Sequence, residues 1–240
     1  MANGVSKTKH IQTRVSLFKD WYKLIFPFNR FISPHQTLHL RNGAIAEVGS
    51  IFSSDVSVLM EVFDENTYQL EKFDLSPDAV IFDIGANIGA FSLAVHQLWP
   101  DAQIIAFEPS PRNFALLQKN TPFAHCEQKA VVGKDGVVHI QSQGTYTALR
   151  LVESGGIEVK AISLREALRQ FSEIDLLKVD IEGAEYDVFA HATPEILTKV
   201  KNILMEVHDP NKIDWFEKVL KQNAFTVEWL NPQLLRARKV

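Results

Sequence analysis

The sequence predicts an α/β protein built around a mostly parallel β-sheet. From residue 79 onward, short apolar segments alternate with longer amphipathic segments, which is the order of strand–helix–strand units. Turn and helix-capping residues stand at the junctions between these segments. The chain has 240 residues, of which 46% are hydrophobic and 22% are charged, so it can bury the core that such a sheet needs.

Residues 1–77 are expected to form an N-terminal helix and a cap segment, and residues 78–240 to form the main domain. Residues 15–32 mix aromatic residues with lysines in an imperfect helical pattern. We expect the aromatic side chains to pack on the main domain or on a second subunit; the other interpretation is peripheral contact with an anionic membrane surface. Further along, Asn42-Gly43 predicts a hairpin turn and residues 54–63 predict a helix.

The core elements follow in order from residue 79. The predicted strands are 79–85, 102–109, 175–181 and 201–208, followed by two strands joined around Asn231-Pro232. The predicted helices are 88–99, 111–120, 164–171 and a segment that starts at Thr193-Pro194. Two other apolar segments, 125–132 and 136–141, flank a turn. We expect the final hairpin to be antiparallel on an otherwise parallel sheet.

Two helix starts have recognisable caps. Ser110 precedes Pro111, and this pair is typical of an N-cap followed by the first helical position. Ser163 and Glu166 have capping-box spacing.

Charge and cysteine content exclude several classes of protein. The net charge is −4, but residues 1–30 contain six basic residues and one acid, so the rest of the chain has 19 basic and 28 acidic residues. Nucleic-acid binding depends on Lys and Arg contacts with phosphates, so no nucleic-acid partner is expected for this acidic part of the chain.

The cysteine content and the lack of long apolar segments predict the location. Cys126 is the only cysteine, and neither an export signal nor a run of about 18 apolar residues is present, so we predict a cytoplasmic location.

The segment VIFDIGANIGAFS, residues 80–92, joins a buried strand to a helix through a glycine-containing turn. Gly85 and Gly89 lack a Cβ, so a ligand can touch the backbone there. In a dinucleotide-binding turn the second and third glycines would fall where this chain has Asn87 and Ala90. Asn87 presents a side chain where a pyrophosphate would have to approach the backbone, so pyrophosphate binding is less favoured. An uncharged part of a ligand can still bind there.

Two acids beside this turn narrow the choice of ligand. Glu108 ends the next strand of the sheet, where a carboxylate can accept hydrogen bonds from both hydroxyls of a ribose. NAD and S-adenosylmethionine both contain such a ribose. Asp83 is poorly placed near a diphosphate, but it suits the ammonium and sulfonium charges of S-adenosylmethionine. The combination favours S-adenosylmethionine, with S-adenosylhomocysteine as the product.

Four segments, VIFDIGANIGAFS, IIAFEPSPRNFALLQKN, IDLLKVDIEGAEYDVF and ILMEVHD, closely resemble the FkbM-type S-adenosylmethionine-dependent methyltransferases in order and spacing. The resemblance implies a Rossmann-like methyltransferase fold, in which a mostly parallel seven-stranded sheet has an antiparallel last strand. It also implies methyl transfer to a hydroxyl oxygen of a sugar, a polyketide or another small molecule. By position, Asp83, Gly85, Asn87 and Gly89 would line the methionine side of the cofactor, and Glu108 would hold the ribose.

A group of acids follows the strand at 175–181. The pattern places Lys178, Asp180 and Glu182 at alternate positions of a strand, and therefore on one side of it. Glu206 and His208 have the same spacing at the end of the neighbouring strand, so we expect all five side chains to converge at the ligand-binding edge of the sheet.

Methylation of an alcohol requires a nearby group that takes the hydroxyl proton. We predict catalytic roles for Asp180, Glu182, Glu206 and His208, with Asp180 also contacting the cofactor and His208 as a candidate base. Lys178 and Glu185 are expected to form an ion pair. A divalent metal bound by the same acids is chemically sensible, but no fixed metal-ligand spacing is present, so we predict no metal.

Other functions are less consistent with these residues. A dinucleotide-binding oxidoreductase conflicts with Asn87 and Ala90. A methyltransferase fold retained only as a binding module would not need acids at both Glu108 and Asp180. The segment DIEG differs from the motif typical of base-amino methylation. The sequence predicts a small-molecule or carbohydrate acceptor without identifying it, and it leaves the oligomeric state open.

Overall fold

The computed structural model describes residues 13–25, 36–49, 54–142, 149–152 and 155–240. The strands are β1 (Gln36–His39), β2 (Ile45–Val48), β3 (Val80–Ile84), β4 (Gln103–Phe107), β5 (His125–Glu127), β6 (Ala130–Val132), β7 (Gly136–Ser142), β8 (Leu149–Val152), β9 (Ile157–Ser163), β10 (Leu176–Val179), β11 (Asn202–Glu206), β12 (Phe225–Trp229) and β13 (Leu234–Lys239).

Helices accompany these strands within the described residues. They are α1 (Trp21–Ile25), α2 (Ser54–Phe63), α3 (Ala90–Leu98), α4 (Pro111–Asn120), α5 (Leu164–Ala167), α6 (Glu185–His191), α7 (Pro194–Thr198) and α8 (Ile213–Gln222). The predicted caps are confirmed, since Ser110 Oγ accepts a hydrogen bond from the Asn113 backbone and Ser163 Oγ accepts one from the Glu166 backbone. The helix predicted for 164–171 is shorter, with α5 ending at Ala167.

The central sheet has seven strands in the order β12-β13-β11-β10-β3-β4-β5. Strands β11, β10, β3, β4 and β5 are parallel to their neighbours within this group. Strand β13 runs antiparallel to β11, and β12 pairs antiparallel with β13. The predicted α/β class, the mostly parallel sheet of seven strands and the antiparallel final hairpin are therefore confirmed.

A second sheet, which the sequence analysis did not predict, has four strands in the order β6-β9-β7-β8. It lies in the chain between β5 and β10. The predicted hairpin around Asn42-Gly43 forms a third sheet, in which β1 and β2 are antiparallel. Strand β2 packs against α4, and β6 packs against α5 and α6.

The cap segment shares its core with the main domain. Phe18 and Leu59 are fully buried in the same hydrophobic cluster as Ile81 and Ile88. The boundary between residues 77 and 78 stays a prediction.

No helix among the described residues is long and apolar enough to cross a bilayer.

The predicted packing of the N-terminal aromatics is confirmed for Phe18, and Trp21 is partly buried against the same cluster. Leu17 and Leu24 are also buried. Phe26 and Phe28, which also belong to the aromatic segment 15–32, lie outside the described residues. Peripheral membrane contact stays a prediction.

Candidate active site

The backbone conformation of the turn after β3 explains why glycine and asparagine stand in it. Gly85, Asn87 and Gly89 have positive φ angles of 78°, 52° and 89°. A Cβ at Gly85 would overlap the carbonyl oxygen of Asp180. Glycine is required there because the turn passes close to the chain that leaves the neighbouring strand β10.

Glu108 joins this turn to the end of β4. Its carboxylate oxygens accept one hydrogen bond each from the backbone N–H groups of Asn87 and Ser110, both at 2.9 Å. The side chain is only 4% exposed. Burial raises the pKa of this carboxyl to about 7, although the two N–H donors act in the opposite direction. Both carboxylate oxygens are thus held in place, and each has a further lone pair that can accept a hydrogen bond from a ligand.

A cavity lined in part by Glu108, which we call the apolar cavity, has a volume of about 650 Å³, its open mouth included. Its wall is built by the second sheet, through Val132 of β6, Ile140 of β7 and Leu151 of β8, and by Phe107 from β4. The four-stranded sheet therefore supplies an apolar surface opposite a buried carboxylate.

A second cavity of about 730 Å³ adjoins the apolar cavity, and we call it the acidic cavity because several carboxylates line it. The two share Gly85, Asn87, Asp180 and Glu182. The side chains that line the acidic cavity include Ser57, Glu61, Tyr68, Phe91, Lys178, Glu206 and His208. Helix α2 forms one wall, and the carboxyl ends of β10 and β11 form the other.

A buried ion pair lies under the glycine turn. Asp83 is fully buried and accepts a hydrogen bond of 2.7 Å from Ser92 Oγ. Lys178 Nζ lies 3.1 Å from Asp83 Oδ1 and donates to the Gly85 carbonyl oxygen at 2.7 Å. Burial alone would lower the pKa of Lys178, but Asp83 and Asp180 raise it above its usual value. Lys178 is therefore a fixed cation beneath the acidic cavity.

Two predicted cofactor contacts lie away from both cavities. Asp83 is below the turn, and Gly89 packs where a Cβ would meet Thr121 and Leu117. Their contact with a cofactor stays a prediction, whereas the structure shows their part in forming the turn. Gly85, Asn87, Glu108 and Asp180 line at least one of the cavities.

His208 and Glu185 form a pair that the sequence analysis missed. His208 Nδ1 lies 2.8 Å from Glu185 Oε1, and Glu185 is 2% exposed. The predicted ion pair between Lys178 and Glu185 is wrong, because Lys178 contacts Asp83 and Asp180 instead. The reason is topological: β10 lies beside β3, and its lysine therefore meets the aspartate of that strand.

The other nitrogen of His208 faces three acids. Nε2 lies 3.6 Å from Glu182 Oε2 and 3.9 Å from both Asp180 Oδ1 and Glu206 Oε1. Burial alone would lower the pKa of His208, but the hydrogen bond that its ring donates to Glu185 and the surrounding carboxylates raise the pKa to about 9. The raised pKa of His208 favours its protonated form at neutral pH. The predicted convergence of these side chains is confirmed, and their catalytic roles stay predictions.

Glu182 reaches this cluster in a different way from that predicted. Strand β10 ends at Val179, and Glu182 and Gly183 follow with φ angles of 55° and 104°. The alternation of a strand does not extend to Glu182, because the left-handed turn begins there. The turn still directs Glu182 toward His208.

The acids of the cavity repel one another. Burial raises the pKa of Glu206 to about 7, with repulsion from Asp180 adding to it and His208 opposing it. Burial and Asp180 likewise raise the pKa of Glu61, which α2 supplies. The sequence analysis missed Glu61 and Tyr68, although both lie in or just after the predicted helix at 54–63.

Asp180, Glu206 and His208 have ligand atoms within 4.8 Å of one another, a spacing compatible with a metal ion. A metal would have to displace the proton of His208. The prediction that no metal binds stays a prediction.

Comparison with known proteins identifies the family. Residues 83–236 match the methyltransferase FkbM domain. A relative named 31-O-demethyl-FK506 methyltransferase FkbM, from Streptomyces tacrolimicus, is 28% identical over 80% of this chain and 89% of its own length. The 2-O-methyltransferase NoeI from Sinorhizobium fredii is 32% identical over 55% of this chain and 65% of its own length.

A solved structure supports the fold. The crystal structure of a methyltransferase FkbM from Methylobacillus flagellatus has a TM-score of 0.52 and 12% identity, covering 71% of this chain and 46% of that one. The domain match extends over most of the sheet and the apolar cavity, and it includes the acidic cavity except for the wall supplied by residues 54–68. The chain belongs to the FkbM methyltransferase family.

Proposed function

We propose that this protein is an S-adenosylmethionine-dependent O-methyltransferase that acts on a hydroxyl group of a small molecule or a sugar or polysaccharide precursor. The observation that carries the proposal is the Glu108 carboxylate, which is held by backbone amides of the glycine turn and of the α4 N-terminus at the edge of an apolar cavity. A buried carboxylate in this place suits a ribose diol.

The residues present fit the three parts of S-adenosylmethionine. Glu108 would hold the ribose, and the apolar wall formed by Val132, Ile140 and Leu151 would contact the adenine. The acidic cavity begins at Asn87 and Asp180, and its excess of carboxylates suits the ammonium and sulfonium charges of the methionine end. When bound, S-adenosylmethionine supplies an electrophilic methyl group to the acceptor.

Two relatives support an oxygen acceptor, because their names state methyl transfer at oxygen for those proteins. The acidic cavity also provides groups that can take a hydroxyl proton. Glu185 fixes the His208 ring so that Nε2 faces the cavity. A second positive charge in the cavity lowers the pKa of His208, which makes the imidazole available as a base.

The first test is thermal unfolding with S-adenosylmethionine, S-adenosylhomocysteine and NAD(H), each in excess. A ligand at about 100 times its Kd adds roughly 2.7 kcal/mol to the free energy of unfolding, which for a chain of this size raises Tm by several degrees. We expect a rise with both adenosyl compounds and none with NAD(H), followed by a screen of hydroxyl acceptors. A rise with NAD(H) alone would overturn the proposal.

A further inference from the structure

Tyr68 is held rigidly at the wall of the acidic cavity. Its side chain is 6% exposed, and its ring meets the Phe91 ring edge-on at a centroid distance of 5.3 Å. The neighbouring residues Asn66 and Gln69 have positive φ angles of 48° and 47°. Such backbone is strained for residues other than glycine and persists where the surroundings fix it. The turn is fixed by two hydrogen bonds from Thr67 to the Glu61 carbonyl oxygen.

The Tyr68 side chain lines the acidic cavity, where its hydroxyl can meet a ligand. Within the described part of the chain, none of the hydrogen bonds involves this hydroxyl, although it lines the cavity with Glu61, Asp180 and Glu206. Burial, followed by the negative charges of these acids, raises the pKa of Tyr68 well above its usual value. The phenol is therefore neutral at any physiological pH and has a proton to donate. A ligand group that enters the acidic cavity can accept this proton in a hydrogen bond.

We propose that the Tyr68 hydroxyl donates a hydrogen bond to the acceptor oxygen that becomes methylated, and so selects hydroxyl over amine acceptors. This inference rests on the proposed function. In the reaction, a lone pair of the acceptor oxygen forms the new C–O bond while the C–S bond breaks and its electron pair passes to sulfur. The hydroxyl proton passes to a base of the acidic cavity.

The selectivity follows from the number of lone pairs on the attacking atom. A hydroxyl oxygen has two, so one can accept from Tyr68 while the other attacks the methyl carbon. A neutral amine has one, which cannot serve both purposes at once. Glu206 and His208, on the opposite wall, are positioned to receive the proton.

The test uses defined probes and needs no knowledge of the natural acceptor. Two sulfonium derivatives of S-adenosylhomocysteine, one S-(2-hydroxyethyl) and one S-propyl, have equal length and differ by a hydroxyl in place of a methyl. Their Kd values, with that of S-adenosylhomocysteine itself, are measured by calorimetry on the wild type, Tyr68→Phe and Tyr186→Phe. Tyr186 is 38% exposed and lies outside both cavities, which makes it a matched control.

The wild type and Tyr186→Phe should prefer the hydroxyethyl probe by about five- to tenfold, the worth of one hydrogen bond. Tyr68→Phe should reduce this preference to about twofold or less and leave the Kd of S-adenosylhomocysteine within about twofold. The ring remains packed on Phe91 in that variant, so the fold should persist.

Several results would overturn the inference. One is an undiminished preference in Tyr68→Phe, or no preference in the wild type. Another is a loss of S-adenosylhomocysteine affinity in Tyr68→Phe, because the hydroxyl would then serve the methionine end. If the wild type fails to bind S-adenosylhomocysteine, the proposed function itself fails, which is a separate outcome.

Discussion

The apolar cavity and the acidic cavity adjoin at Asn87 and Asp180, yet they are built differently. In the apolar cavity the carboxylate of Glu108 has both oxygens fixed by backbone amides, and Phe107, Val132, Ile140 and Leu151 provide an apolar wall. In the acidic cavity, side chains provide almost all of the polar groups, and the carboxylates outnumber Lys178 and His208.

The difference separates two tasks. Backbone amides neither titrate nor change rotamer, so a site built on them is suited to holding one constant ligand part in a fixed place. Crowded carboxylates and an imidazole change protonation when a charged ligand arrives, so the acidic cavity is suited to chemistry. We expect substitutions in the first cavity to alter affinity, and substitutions in the second to alter turnover and pH dependence.

The largest effect is expected beneath the acidic cavity. Lys178→Met would leave Asp83 as a buried, uncompensated charge and should lower the free energy of unfolding by about 3–5 kcal/mol, measured by urea titration. Lys221→Met, which removes an exposed ion pair with Glu217, is the control and should change little. Equal effects in the two variants would show that the buried pair has no special role.

Next in size is the loss of the candidate base. His208→Gln should reduce kcat about 100-fold, or roughly 2.7 kcal/mol, with S-adenosylhomocysteine affinity almost unchanged. Turnover is followed as S-adenosylhomocysteine release with an acceptor from the screen. His191→Gln, on the exposed face of α6, is the matched control. A greater loss of kcat in Glu206→Gln than in His208→Gln would move the role of base to Glu206.

In the apolar cavity, Glu108→Ala should weaken S-adenosylhomocysteine by about 2 kcal/mol, roughly 30-fold in Kd, because the ribose loses charge-assisted hydrogen bonds. Calorimetry would measure this, with Glu173→Ala as an exposed control. Unchanged affinity in Glu108→Ala would contradict the assignment of the ribose to this cavity.

The smallest effect concerns pH. Glu206 ionises as pH rises through about 7, and bound S-adenosylmethionine lowers the pKa of His208 from about 9, so that both groups lose positive charge or gain negative charge as pH rises. S-adenosylmethionine has one more positive charge than S-adenosylhomocysteine, so its relative affinity should increase over this range by about fivefold, or ~1 kcal/mol.

Calorimetry at pH 6, 7 and 8 would follow the ratio of the two Kd values. Glu206→Gln should reduce the pH dependence of the ratio, whereas the exposed control Glu166→Gln should keep the wild-type dependence. A ratio that falls with pH in the wild type would reverse the expected sign.

Local patterns were sufficient for much of the fold and part of the site. The cap at Ser110 and the helix at 54–63 depend on neighbours in the chain, so they could be predicted. Glu108 and the convergence of Asp180, Glu206 and His208 were predictable because the carboxyl ends of parallel strands meet at one edge.

The alternation of strands and helices, the glycine turn and the acids near it could be predicted from residue order, since each depends on short-range periodicity or residue type. The fold was needed to show that Lys178 pairs with Asp83, that Glu185 orients His208 and that Tyr68 reaches the acidic cavity. Such pairings join residues that are distant in the chain or separated by a left-handed turn. These pairings depend on which strands lie next to each other in the sheet. The order of the strands is the one that minimises the free energy of the whole core.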